Sequence, residues 1–266
     1  MKKWAGSCFD RAFEYLHETH SVLHLCMQGL HLLQKHPAIH EAILRTAEGW
    51  SKEEIEAEQR ELEKCRSMAA SSKVEIDGGY PTLHSQSVIS LWGTLEALIE
   101  DLLAAWLQNE PATLQSERFR KIKVTVSEYE SLNDDQRAAY LVRELARTLS
   151  ADLKLGIGRF ESILAAAGLS GSVDPGFRRD LFELSQIRNI LVHRAGVADE
   201  TFCTNCPWFK AVVGSVISVN HDDYVRYYTA VHVYLYEVLN RVLVAQGEKH
   251  FDWSVEEWQE RGICGG

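Results

Sequence analysis

Between Ser85 and Gln108 the apolar residues Val88, Leu91, Trp92, Leu95, Leu98, Leu102 and Trp106 return at intervals of mostly three or four, with Glu96, Glu100 and Asp101 between them. That period fits an α-helix and no strand, and it leaves one broad stripe of the helix too apolar for water. A helix of this kind needs other helices to cover it. Pro111, which has no amide hydrogen to donate, marks its end.

The rest of the chain supplies the cover. Apolar residues from Phe13 through Leu16, Leu23, Met27 and Leu30 to Leu33 predict one long helix that stops near Pro37, and Glu41 to Ala47 predicts a short one. Ser51-Lys52-Glu53-Glu54 has the capping-box arrangement and opens a charged helix running towards Met68. Further helices are predicted from Asp134 to Leu149, Ile157 to Ala167, Pro175 to His193 and Asp222 to Ala245. Asp174 precedes a first-turn proline and Asn220 with Asp223 forms a cap pair, so the last two helices have defined starts. Val212, Val213, Val216, Ile217 and Val219 favour extended structure, and with Gly214 near a bend they predict a small β-hairpin. The expected fold class is all-α in the main, with that hairpin as its minor β element.

Ala69 to Pro81 contains Ser71, Ser72, Gly78, Gly79 and Pro81, the composition of a linker. The main domain boundary is expected there, with an N-terminal helical extension over residues 1–78 and a second unit over residues 79–266.

With 266 residues, 45% of them hydrophobic, the chain can bury a substantial core. Its net charge of −10 excludes indiscriminate binding to a polyanion, which needs a basic surface. Any contact with nucleic acid must be local, and the candidate patch is Arg118, Arg120, Lys121 and Lys123, extended by Arg178, Arg179, Arg188 and Arg194. No apolar run approaches the roughly 18 to 20 residues that cross a bilayer. Asp10 and Arg11 interrupt the start before an export signal can form, so no membrane contact and a cytoplasmic location are expected. The six cysteines, Cys8, Cys26, Cys65, Cys203, Cys206 and Cys264, are then expected to be reduced.

Two patterns invite a metal reading. Cys203-Thr204-Asn205-Cys206 is a close thiol pair, but no second pair stands at zinc-ribbon distance. His17, His20, His24 and His31 line one stripe of the first long helix, where imidazoles one turn apart can share an ion and a helix–helix seam explains the same spacing. His17-Glu18-Thr19-His20 is one residue too short for the two-histidine zinc helix of metalloproteases, and the chain has neither a Gly-rich phosphate loop nor a Gly-x-Ser-x-Gly elbow. No metal or cofactor is expected.

The chemistry that remains is concentrated in Ile187-Arg188-Asn189-Ile190-Leu191-Val192-His193-Arg194. At about 100° per residue, Arg188, Asn189 and His193 fall at roughly 0°, 100° and 140° around a helix. Leu184, Ile187 and Leu191 occupy the other side. An imidazole changes charge near pH 6.5 in water and moves protons at neutral pH, while a guanidinium grips phosphate oxygens through a bidentate fork. Cleavage of RNA by its own 2′-hydroxyl needs these two functions and no metal. Asn189 can orient the ring or the substrate. A purely structural account also fits: Arg188 paired with Glu183 or another carboxylate, Asn189 closing a helix–loop junction, and His193 at a helix C-terminus.

The run Arg188-Asn189-Ile-Leu-Val-His193, preceded by Glu183-Leu-Ser-Gln-Ile187 and followed by Arg194-Ala-Gly196, resembles the signature of HEPN-domain proteins. Ser90-Leu-Trp-Gly-Thr-Leu-Glu96 resembles the opening helix of that domain, and the likeness extends over roughly Pro81 to Gln246. The resemblance implies a bundle of four or five helices and a metal-independent endoribonuclease of antiviral defence, toxin–antitoxin pairs or RNA processing. It implies Arg188, Asn189 and His193 as catalytic residues, with Glu96 or Glu100, and Arg194, in support. It also implies an RNA substrate, a homodimer that builds one composite cleft, and an antitoxin or sensor as a possible partner. Some members of the family only bind nucleotides or partners, so a non-catalytic interaction module is the alternative.

Overall fold

The computed structural model describes residues 1–150 and 156–251. Helices dominate them: α1 (Lys3–Leu33), α2 (His36–Arg45), α3 (Lys52–Asp77), α4 (Pro81–Asn109), α5 (Glu117–Arg120), α6 (Val126–Ser131), α7 (Asp134–Ser150), α8 (Ile157–Leu164), α9 (Pro175–Arg194), α10 (Glu200–Asn205) and α11 (His221–Ala245). The core is built on α4, whose Val88, Leu91, Leu95, Leu102 and Leu103 are sealed from solvent. On one side lies α1, antiparallel to α4: Trp4 meets Trp106 edge-on at 5.6 Å and Arg11 pairs with Asp101 at 3.1 Å. The C-terminal helix α11 packs on both, with Phe13 of α1 lying 4.8 Å from Tyr236 and His20 sharing a 3.1 Å hydrogen bond with the Tyr224 hydroxyl. Trp92 stacks on Phe160 of α8, and α7 and α9 close the remaining faces of α4.

The helix starts follow their caps. Ser51 and Glu54 form a reciprocal capping box at α3, Asp174 accepts from Gly176 N–H ahead of Pro175 at α9, and Asn220 accepts from Asp223 N–H at α11. Each satisfies an amide that the helix itself leaves unpaired.

Three expectations need correction. The Ala69–Pro81 segment is helical as far as Asp77, and the turn that follows is only Gly78, Gly79 and Tyr80. Ser72 bonds back to the Ala69 carbonyl at 2.9 Å, which lets a serine sit inside a helix without competing for its ladder. The N-terminal region is also no uniform extension: Ala5, Phe9, Ala12, Leu16 and Leu23 of α1 belong to the same core as α4 and α11. Within residues 1–78, α2 and α3 lie outside it, joined by polar contacts such as His40–Glu58 at 2.6 Å and Arg66–Glu41 at 3.0 Å.

The third correction concerns the hairpin. Within residues 211–219 the Ser215 N–H closes a turn on the Val212 carbonyl at 2.9 Å, but no strand ladder follows; the segment lies against the loop after α9. Ala198 N–H donates to Ser215, Gly214 N–H to Ala198 and Ile217 N–H to Gly196, each at 2.9 Å. One isolated antiparallel bridge, Val197 with Val216, is the β structure among the described residues. Val212, Val213 and Val216 are 73%, 55% and 74% exposed, so the β-branched run has no buried face to stabilise a ladder.

A buried carboxylate locks α9 to α11. Glu183, side chain 3% exposed, accepts from Trp208 Nε1, from the Tyr227 hydroxyl and from the Arg226 guanidinium, which also reaches Asp180 at 2.5 Å and Asp223 at 3.1 Å. Burial and the neighbouring Glu183 raise the Tyr227 hydroxyl well above its ordinary range, so it remains a donor. Replacing Glu183 with alanine leaves the Trp208 and Tyr227 donors without their acceptor and removes one of the three carboxylates that hold Arg226. The expected loss is about 3 to 5 kcal/mol of unfolding free energy in urea titrations. An unchanged midpoint would show the cluster to be dispensable.

His232 sits inside the same bundle, with Nδ1 on the Tyr228 carbonyl at 2.9 Å, and burial lowers its pKa to about 4. The sign follows from linkage: the unfolded imidazole takes its proton near pH 6.5, the folded one only near pH 4, so the unfolded state binds more protons between them. Stability is full above pH 6.5 and falls as pH drops towards 4. The His232→Gln variant should flatten that part of a melting-temperature profile against pH.

Candidate functional site

The motif residues lie on the last two turns of α9. Leu184, Ile187 and Ile190 are buried against the core, which turns Arg188, Asn189 and His193 outwards. Ala195, at φ 50°, ends the helix one residue after Arg194, and its amide and that of Gly196 both bond to the Ile190 carbonyl. Asn189 and His193 are exposed, and His193 stands on the terminal turn. Behind them, the buried Gln186 accepts from Asn205 Nδ2 at 2.9 Å and so ties α9 to α10.

Arg188 is held from two directions. Its Nη2 donates to Glu96 Oε2 of α4 at 3.1 Å and its Nη1 to Asn189 Oδ1 at 3.4 Å, while its Nε is buried with no hydrogen-bond partner. With the side chain about a quarter exposed, the guanidinium is aimed by its partners yet has donors unspent. A carboxylate on one arm of the fork leaves the rest for a second anion. Of the two acidic residues expected in support, Glu96 meets Arg188, whereas Glu100 faces Arg143 at 3.5 Å. Glu183, the other carboxylate weighed for Arg188, is taken by Arg226. Arg194 lies 3.8 Å from Asp199 beyond the helix end.

The patch Arg118, Arg120, Lys121 and Lys123 is largely spent on local structure. Arg118 donates to the Ser162 carbonyl of α8 at 2.5 Å, Arg120 to Gln115 at 3.1 Å and Lys121 to Glu117 at 2.6 Å; Lys123 is exposed. Arg179 of the extended patch lines a hollow with Arg226, Asp180, Glu183 and Asp223, where carboxylates outnumber the arginines, whereas Arg143 and Arg147 of α7 gather with Arg159 of α8 around another concave surface. They rim a cleft of about 340 Å³ between α4, α7 and α8, floored by Ile99, Val142 and Phe160, with Glu96 and Glu100 on its α4 wall. Arg143 and Arg147 stand four apart on one helix face, a spacing visible in the sequence. Arg159 comes from another helix, and no local pattern points to it.

The thiol pair and the histidine stripe have ordinary surroundings. Cys206 is buried, with desolvation and the nearby Glu183 pushing its thiol up to about 12, and Cys203 points its sulfur at the Ala211 carbonyl. Cys8, Cys26, Cys65, Cys203 and Cys206 are all free. His20 and His31 make seam contacts, the latter to the Tyr80 hydroxyl at 2.7 Å. Among the described residues no group of three or more His, Cys, Asp or Glu side chains is arranged to hold a metal ion. No described helix is long and apolar enough to cross a membrane.

No protein-family model matches this chain, and no curated protein or solved structure matches it. The functional reading therefore rests on the geometry of Arg188, Glu96 and His193. In a double-mutant cycle, Arg188→Ala and Glu96→Ala should show a coupling of about 0.5 to 1 kcal/mol in unfolding free energy, as for a partly exposed ion pair. Strictly additive effects would mean that Glu96 does not hold the guanidinium.

Proposed function

We propose that the chain is a metal-independent endoribonuclease with a HEPN-like helical bundle, in which Arg188, Asn189 and His193 act on the scissile phosphate. The observation that carries this reading is the placement of Arg188, aimed by Glu96 and Asn189 with donors to spare, five residues before an exposed imidazole on the same helix. The ribose 2′-oxygen attacks phosphorus as a base takes its proton; the bond to the 5′-oxygen breaks as an acid protonates it. The products are a 2′,3′-cyclic phosphate and a free 5′-hydroxyl. His193 serves as one of the two proton carriers, and Arg188 balances the extra negative charge of the phosphorane.

A homodimer supplies the second carrier as the other copy's imidazole. Its support is apolar surface beside the motif: Val192, Val197, Val212, Val213 and Val216 are all exposed, Val197 and Val216 face each other across the bridge, and Val192 adjoins His193. Antiviral defence or a toxin–antitoxin pair is the setting this reading implies, with an antitoxin or sensor to restrain it. One observation favours a second reading, an interaction module: α2 and α3 also leave Ile39, Met68 and Val74 exposed.

Purified protein incubated with cellular RNA should leave fragments ending in 2′,3′-cyclic phosphate. Arg188→Ala and His193→Ala should each slow cleavage by about a hundredfold or more without unfolding the chain. EDTA should leave the rate unchanged. Loss of activity with the chelator overturns the metal-free mechanism, and wild type that cuts no RNA favours the interaction module.

A further inference from the structure

The arginine-rimmed cleft between α4, α7 and α8 is the feature that the motif does not account for. In a chain of net charge −10, its wall carries three arginines against two glutamates, and Arg159 pairs with no carboxylate among the described residues. Arg147 is 74% exposed beside Glu144, so it can turn to a ligand without desolvating a buried pair. Beneath the rim the surface is apolar. A cationic rim above an apolar floor suits a ligand that is anionic along one edge and flat and apolar along another, the description of a nucleotide. About 340 Å³ accommodates roughly one nucleotide and is far too narrow for a duplex.

The position of Glu96 decides what kind of nucleotide. This carboxylate is at once part of the cleft wall and the anchor of Arg188, so the cleft opens within one side chain of the motif. Resting on the ribonuclease reading above, we propose that the cleft is a subsite for single-stranded RNA, in which Arg143, Arg147 and Arg159 hold the backbone next to the scissile phosphate. The strand enters the cleft with one base on the apolar floor and passes over Glu96 to Arg188. Arg159 and Arg147 are positioning residues: they touch the strand away from the bond that breaks.

The test uses the full chain carrying His193→Ala, which binds without cutting, and a fluorescein-labelled ten-nucleotide single-stranded RNA followed by anisotropy. Adding Arg147→Ala and Arg159→Ala should weaken binding by about tenfold or more and reduce the slope of log affinity against log salt by about one or two. Arg60→Ala, a change on the exposed face of α3, should alter binding less than twofold. A duplex of the same sequence should bind more weakly than the single strand, and free AMP should compete only at far higher concentration. In the cleaving enzyme, Arg159→Ala should raise KM and leave kcat in place. If the dead enzyme binds no RNA, or the double substitution changes neither affinity nor KM, the subsite is overturned while cleavage by the motif can still stand. If binding depends on the arginines but wild type never cuts, the subsite stands and the nuclease reading falls. AMP competing as well as the strand would assign the cleft to a free nucleotide and overturn the strand proposal.

Discussion

Glu183 is the anchor on which the geometry of α9 depends. An ionised carboxylate taken out of water is destabilising by several kcal/mol unless its oxygens are saturated with donors. Here three donors converge on it from two separate segments: Trp208 beyond α10, and Arg226 and Tyr227 on α11. The cluster therefore forms only when α9, α11 and the Pro207–Phe209 turn are all in place. Apolar packing alone would let α9 rotate or slide by a fraction of a turn at small cost, since leucine and isoleucine stripes tolerate such shifts. A saturated carboxylate does not tolerate them. Arg188 lies five residues further along the same helix, so fixing Glu183 fixes where the Arg188 guanidinium emerges.

The same logic separates the two jobs of charge in this protein. Glu183 is deep and saturated, and its partner Arg226 is shared further with Asp180 and Asp223. Arg188 is at the margin of the core, bound through part of its fork, with Nε unsatisfied and the side chain open to solvent over about a quarter of its surface. Structural ion pairs in the first state hold the bundle together, and a pair in the second state presents a cation. The distinction rests on burial and on the number of donors left over, and neither is visible in residue types alone.

Much of the helical frame was legible because its signals are local. The capping box at Ser51, the Asp174–Pro175 start and the Asn220–Asp223 pair each satisfy amides within three residues, so sequence proximity is sufficient. Reading failed where the deciding partner is distant in sequence. The valines of residues 211–219 look like a hairpin, yet their backbone finds the 196–198 loop, a partner that no local pattern in the sequence points to. Residues 69–77 look like a linker, yet α1 packed against α3 keeps them helical. At the site, Arg188 and His193 could be named from their spacing, and the choice between Glu96 and Glu100 could not, since it depends on the rotation of α4 against α9. Arg159 was invisible for the same reason: it joins Arg143 and Arg147 only through the packing of α8 on α7.

The net acidity of the chain looks at first like an argument against any contact with RNA. At physiological ionic strength, however, charges more than about 8 Å apart are largely screened, so the −10 of the whole molecule is felt weakly at any one cleft. On the proposed reading a bound strand meets the handful of groups within that distance, and around the α4–α7–α8 cleft those include Arg143, Arg147, Arg159 and the nearby Arg188 on one side of the balance and Glu96, Glu100 and Glu144 on the other. Acidity elsewhere suppresses the non-specific adhesion that a uniformly basic surface would have for every polyanion. On the proposed reading, a chain built this way gains little long-range steering and would engage RNA only where cation placement and cleft shape agree. In the proposed subsite, selectivity for an unpaired, flexible stretch of strand would follow from geometry without base-specific hydrogen bonds, because only such a stretch could lower a nucleotide between the arginines and carry its phosphate to Arg188.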